Sequence, residues 1–142
     1  MLKKILIALS FALIFSSTVV QAQSQPVTVI INSDSRMTQG IALVLTHQML
    51  EQGAAVNVLL CDEAGHLALA NAPEVEPLRP NNVTPEQLLI GAMQKGANVQ
   101  VCALYLPNQG VQASDLKQGI TPAQPPAIGT ELLEDSRRVF IY

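Results

Sequence analysis

"PVTVIINSDSRMTQGIALVLTHQMLEQGAAVNVLLC", residues 26–61, decides the fold. Its first six residues, Pro-Val-Thr-Val-Ile-Ile, are short, apolar and rich in β-branched side chains, which is the signature of a buried strand. Asn32-Ser33-Asp34-Ser35 follows with turn and N-cap chemistry. Residues 36–52 carry Met37, Ile41, Val44, Leu45 and Leu50 at helical spacing, which predicts a helix with these residues toward the core. Gly53 is placed to end it at C′. Residues 54–60 are again an apolar strand, with Cys61 at its end. Strand, helix, strand is a βαβ unit, so the two strands are expected to run parallel.

Working outward, residues 62–80 form a polar crossover, with a short helix predicted at 66–71; Pro73, Pro77 and Pro80 forbid a long one. Thr84-Pro85-Glu86-Gln87 is a helix start: Thr84 as N-cap, Pro85 at the first helical position, Gln87 completing a capping box. That helix runs to Lys95 and Gly96 stops it. Residues 98–104 are the third apolar strand. Residues 111–117 read as a short helix. Residues 119–129 hold three prolines and at most a short strand. One or two helical turns follow at 130–135, and a last strand at 138–142. This alternation implies a three-layer α/β sandwich around a mainly parallel sheet of about five strands.

At the amino end, Lys3 and Lys4 precede an apolar run from Ile5 to Val20, and Val20-Gln21-Ala22 fits a small-x-small cleavage pattern. Residues 1–22 therefore read as a secretory signal peptide cut after Ala22, which directs the chain to the periplasm. The run is shorter than the about 20 residues a bilayer span needs, so no membrane association is expected after cleavage. Residues 23–142 then form a single domain. Losing Lys3 and Lys4 takes Lys+Arg from 8 to 6 against 11 acids, a net charge of −5. With no basic patch and no Trp, nucleic-acid binding is disfavoured. Ser33-Asp34-Ser35-Arg36 offers no Gly-rich phosphate loop, and no GxSxG elbow occurs, so no cofactor is expected.

Chemistry then rests on Cys61 and Cys102, the two cysteines of the chain. Both are expected at carboxyl ends of strands, the edge where open α/β sheets bind ligands. A buried cysteine can equally be a small hydrophobe. Export to an oxidising compartment permits a disulfide, or one reactive thiol and a bystander, and spacing does not choose. If strands two and three flank strand one, the cysteines lie roughly 10 Å apart, because neighbouring strands are about 4.8 Å apart. A disulfide needs Cα atoms within about 7 Å, so on that strand order a direct bridge requires loop movement. Asp34 and Ser35 either cap the first helix or line the pocket that Cys102 faces. Asn108 and Gly110 lie in the turn after Cys102, where backbone N–H groups could face the sulfur and lower its pKa. His47 and His66 read as structural or solvated, and Cys61 with His66 lacks the second ligand pair a metal site needs.

The stretches "GAAVNVLLCDEAGHLALA", "TPEQLLIGAMQKGANVQVCALYLPNQGVQASDLKQGI" and "SRRVFIY" resemble the DsrE/DsrF-like family in its exported branch, over nearly all of residues 23–142. The most specific piece is the capped helix with Leu88-Leu89, then Lys95-Gly96-Ala97, the apolar strand, Cys102 and Gly110-Val111. The resemblance implies a small α/β sandwich that forms homo-oligomers. It implies a sulfur carrier or sulfurtransferase-like protein, since cytoplasmic sulfur-relay members hold persulfide sulfur on the cysteine at the position of Cys102. A sulfur-donor or thiol protein is then the implied partner. The chain departs from the pattern twice. Tyr105 stands where several exported relatives have a second cysteine, so no CxxC pair exists, and Pro107-Asn108-Gln109 replaces the usual basic residues. The contrasting reading is a non-catalytic oligomeric binding or scaffold protein with the same fold.

Overall fold

In the computed structural model, residues 24–142 are described; the signal peptide read at 1–22 lies outside them. The elements are β1 (Pro26–Ile31), α1 (Arg36–Glu51), β2 (Ala55–Leu60), α2 (Pro85–Gln94), β3 (Asn98–Val101), α3 (Tyr105–Gln109), β4 (Thr121–Pro122), α4 (Pro125–Leu132) and β5 (Arg138–Ile141). The five strands form one sheet in the order β4-β3-β2-β1-β5, with every pair parallel. The architecture is the expected α/β sandwich.

The strand order corrects one expectation. β2 lies between β1 and β3, whereas β1 was expected between β2 and β3. Two right-handed crossovers taken in the same direction put α1 and α2 on the same face of the sheet. The two helices pack side by side there, joined by His47 Nε2 at 2.8 Å from the Leu88 carbonyl and by the Lys95–Glu51 ion pair. The chain then reverses, and α4 and β5 return to the other side of β1. α4 touches the opposite face: Thr28 donates to Glu131 at 2.7 Å, and Arg137 bridges Thr28, Glu131 and Glu134.

Alternation along the strands sends Val27, Val29, Ile31, Val56, Val58, Leu60, Val99 and Val101 into the core with Ala42, Leu43, Leu89 and Ala92. On α1 the expected core face is wrong at four of its five residues; Leu50 alone packs against the core, partly buried. Met37, Ile41, Val44 and Leu45 are exposed, and the buried residues are Gln39, Gly40, Ala42, Leu43 and Thr46. Buried polar groups are tolerated when hydrogen-bonded. Gln39 donates to the Ser33 carbonyl at 2.7 Å and Thr46 to the Ala42 carbonyl at 2.9 Å. The helix therefore carries apolar side chains on both faces.

The local signals hold where they are strongest. Ser35 caps α1, Gly53 follows it at φ 84°, and Thr84 and Gln87 form the capping box of α2. Elsewhere the chain is tighter than its sequence suggests. The crossover helix at 66–71 is a 3-10 helix over Asp62–Ala68, starting directly after Cys61. β3 stops at Val101, short of the expected end at Leu104, and α3 occupies the stretch expected to be loop. The helix expected at 111–117 shrinks to a 3-10 turn at Ala113–Asp115. Pro125 and Pro126 open α4 rather than prevent it, as proline can at a helix start, so the helix expected at 130–135 begins five residues earlier, at Pro125, and ends at Leu132.

Candidate functional site

Cys61 and Cys102 are joined by a disulfide, with Cα atoms 4.9 Å apart. The sheet makes this possible. Leu60 and Val101 are register partners on adjacent parallel strands, so the next residue of each strand is a cysteine. Both backbones extend the ladder by one bond, Cys61 N–H to the Ile31 carbonyl and Cys102 N–H to the Leu60 carbonyl, each 2.8 Å. Adjacent strands are separated by about 4.8 Å, which matches disulfide geometry, whereas strands two apart would not. The expected need for loop movement thus came from the wrong strand order.

Each half of the disulfide begins a different turn. Cys61 is the residue before the 3-10 helix Asp62–Ala68, and Asp62 itself has φ 49°. Cys102 leads into α3, whose first N–H, on Tyr105, returns to the Cys102 carbonyl at 2.9 Å. Both cysteines are partly buried, and Cys102 packs against the core. An open cavity of about 290 Å³ lies at this edge, lined by Asp62, Cys102, Leu104, Tyr105, Asn108 and Gln109. Cys102 lines it and Cys61 does not. Its lining holds one carboxylate and no cation.

Tyr105 forms its wall. The ring is buried against Gly65, where a Cβ would sit 2.6 Å from the ring's Cγ and closer to two other ring carbons. Burial, and secondarily the charge of Glu63, pushes the Tyr105 phenol above its ordinary pKa. Sequence reasoning missed Asp62, Leu104, Tyr105 and Gln109 as lining residues. Their adjacency to the two cysteines was the available signal.

The other sequence candidates fall elsewhere. Asn108 lines the cavity, but its amide is committed to the Leu104 carbonyl at 2.7 Å. Gly110 caps α3 at φ 67° and does not line it. Ser35 accepts from the Thr38 N–H at 3.4 Å, and Asp34 is exposed beside it; neither lines the cavity. His47 joins the two helices, and His66 contacts the Glu63 carbonyl. Among the described residues no three His, Cys, Asp or Glu side chains gather as metal ligands, and no helix is long and apolar enough to cross a membrane. A depression of about 480 Å³ at the amino edge of the sheet, lined in part by Gln25, Met49 and Phe140, contains neither cysteine.

The sheet order and the helix placement define a five-stranded, all-parallel α/β fold, consistent with the DsrE-like fold that the sequence resemblance implies. Solved structures share it, three of them as follows. YchN from E. coli superposes with TM-score 0.69 at 16% identity, over 84% of this chain and all of that one. MTH1491 from Methanobacterium thermoautotrophicum, a protein of unknown function, gives 0.64 at 11%, over 84% of this chain and 100% of its own. BT1422 from Bacteroides thetaiotaomicron, also of unknown function, gives 0.63 at 17%, over 83% and 95%. At these identities the likeness is one of fold. No protein-family model matches the sequence, and no curated protein does.

Proposed function

We propose that this is an exported, periplasmic DsrE/DsrF-like protein that handles sulfane sulfur or thiols, with Cys102 as the carrier and Cys61 as its exchange partner. One observation carries the reading: the disulfide sits at the carboxyl edge of the sheet and presents Cys102, not Cys61, to a cavity. Disulfides at such edges can exchange with an incoming thiolate through attack at sulfur. The experiment is loading of the reduced protein with polysulfide, a donor that already contains sulfane sulfur. Intact mass and peptide mapping should place a gain of about 32 Da, one sulfur atom, on Cys102. Cys102→Ala should abolish it. Loading that survives Cys102→Ala, or no loading of the native protein, overturns the reading.

A second reading has its own observation. Cys102 packs against the core, and the bridge ties two central strands. A scaffold protein would use it only as a staple. Resistance of the native disulfide to sulfur nucleophiles, with reduction only after unfolding, would favour that reading. Under either reading we propose a homo-oligomer. Met37, Ile41 and Val44 on α1 and Leu104 beside β3 are exposed, and apolar surface of this kind is commonly covered by another subunit. Light scattering at micromolar concentration should give a multiple of the chain mass; a monomer removes the proposal.

A further inference from the structure

We infer that the substrate which opens the disulfide is sulfide, that it attacks the sulfur of Cys102, and that Cys61 is the leaving thiol; this rests on the sulfur-handling reading above. Three features point there. The first is access. Exchange occurs at whichever sulfur a nucleophile can reach, and the cavity is lined by Cys102 and not by Cys61, the residue before the 3-10 helix. The second is size and charge. The cavity is about 290 Å³, Asp62 lines it, Glu63 is exposed next to it, and no lining residue is cationic. A bulky thiol bearing carboxylates meets like charge there, whereas hydrogen sulfide enters as a neutral molecule with nothing attached to its sulfur. The third is the balance of the reaction.

Hydrogen sulfide plus the Cys102–Cys61 disulfide gives Cys102 persulfide plus Cys61 thiol. The new bond joins the sulfide sulfur to Cys102 Sγ, and the broken bond is the one between Cys102 and Cys61. The electron pair of that bond leaves on Cys61, which takes up the proton lost by the attacking sulfide. The disulfide is the oxidant, and sulfide sulfur is oxidised to the sulfane level, so no further redox partner is needed. The step also reverses: the Cys61 thiolate can attack Cys102 Sγ, expel sulfide and restore the bridge. With Cα atoms 4.9 Å apart, the two sulfurs are held for that intramolecular return. The disulfide is then the discharged form of the carrier.

The test treats purified, oxidised, native protein with sodium sulfide under argon, alkylates it and maps both cysteines. Cys102 should carry the extra sulfur, about 32 Da, and Cys61 a single alkyl group. Glutathione, with each thiol's rate normalised to its rate on free cystine, should open the bridge about tenfold more slowly than sulfide. Persulfide on Cys61, an equal split, or glutathione matching sulfide overturns the inference. So does an intact bridge after sulfide treatment. If polysulfide still loads the reduced protein at Cys102, the carrier reading survives that failure. If polysulfide loading fails too, the reading falls and the inference with it.

Discussion

The carboxyl edge of this sheet is used in two ways. After β1, Ser33 and Ser35 spend their polar groups on starting a helix: Ser35 caps α1, the Ser33 hydroxyl accepts from the Ser35 N–H, and the Ser33 carbonyl accepts from Gln39. The edge is closed further by the Asn32 N–H bonding the Tyr142 carbonyl at 2.8 Å. After β2 and β3, the next two strands along, neither cysteine side chain caps the turn that follows it. The sulfurs bond to each other instead, and a cavity opens beside them. The lesson is that position at the favoured edge does not make a site; what matters is whether the side chains there are already committed to local structure. Ser35 had the right position and the wrong commitment, and Asp34 beside it is exposed and does not line the cavity at Cys102.

The largest expected effect on that contrast comes from the bridge. Closing a loop between residues 41 apart stabilises by about 4 kcal/mol in the chain-entropy model. Cys61→Ala with Cys102→Ala should lower the urea midpoint accordingly, and reductant should have no further effect on the double variant. An unchanged midpoint would show that the bridge does not constrain the unfolded chain. Next is Gly65→Ala. Its Cβ would overlap the Tyr105 ring, an overpacking that costs roughly 1–3 kcal/mol. Because Tyr105 walls the cavity, this variant should also alter sulfur loading, which Ser35→Ala should not. Ser35→Ala removes a cap whose bond is long, 3.4 Å, so its cost should sit near the low end of the roughly 0.5–2 kcal/mol range. A defect in loading with Ser35→Ala would erase the distinction between the two parts of the edge.

Much of this was legible before the structure, and the boundary is physical. The β1–α1–β2 unit and the capped start of α2 are encoded by neighbours in sequence: turn residues, periodicity, Thr84 with Gln87. The sheet order is not, because which strand lies beside β2 depends on how two helices pack against one another. That one non-local fact decided the site. With β3 next to β2, Cys61 and Cys102 fall in register and bond; with β1 between them, they could not. The face of α1 failed for a related reason. Apolar periodicity marks a face that will be covered, but Gln39 and Thr46 could be buried because Ser33 and Ala42 carbonyls accept their hydrogen bonds. Tyr105 was read as a missing cysteine, and only packing against Gly65 reveals it as a wall of the cavity.

The smallest expected effect is a pH dependence on the disulfide side. Burial raises the Tyr105 phenol above its ordinary value, with Glu63 adding to it. The unfolded chain therefore releases this proton at lower pH than the folded protein does. Below the unfolded pKa of about 10 both states are protonated and Tyr105 contributes its full stability. As pH rises past that value, the unfolded state binds fewer protons, and stability falls until the folded phenol titrates as well. Melting temperature measured across this range should decline more steeply for the wild-type protein than for Tyr105→Phe. Phe keeps the ring against Gly65 and has no proton to lose, and among the described residues the Tyr105 hydroxyl makes no hydrogen bond. The two proteins should thus melt alike near neutral pH and separate only in alkali. Curves that stay parallel through pH of about 11 would mean that the phenol is as free to ionise in the folded protein as in the unfolded chain. The wall between the disulfide and Gly65 would then be open to water, and this part of the edge would be as solvated as the exposed turn at Asp34.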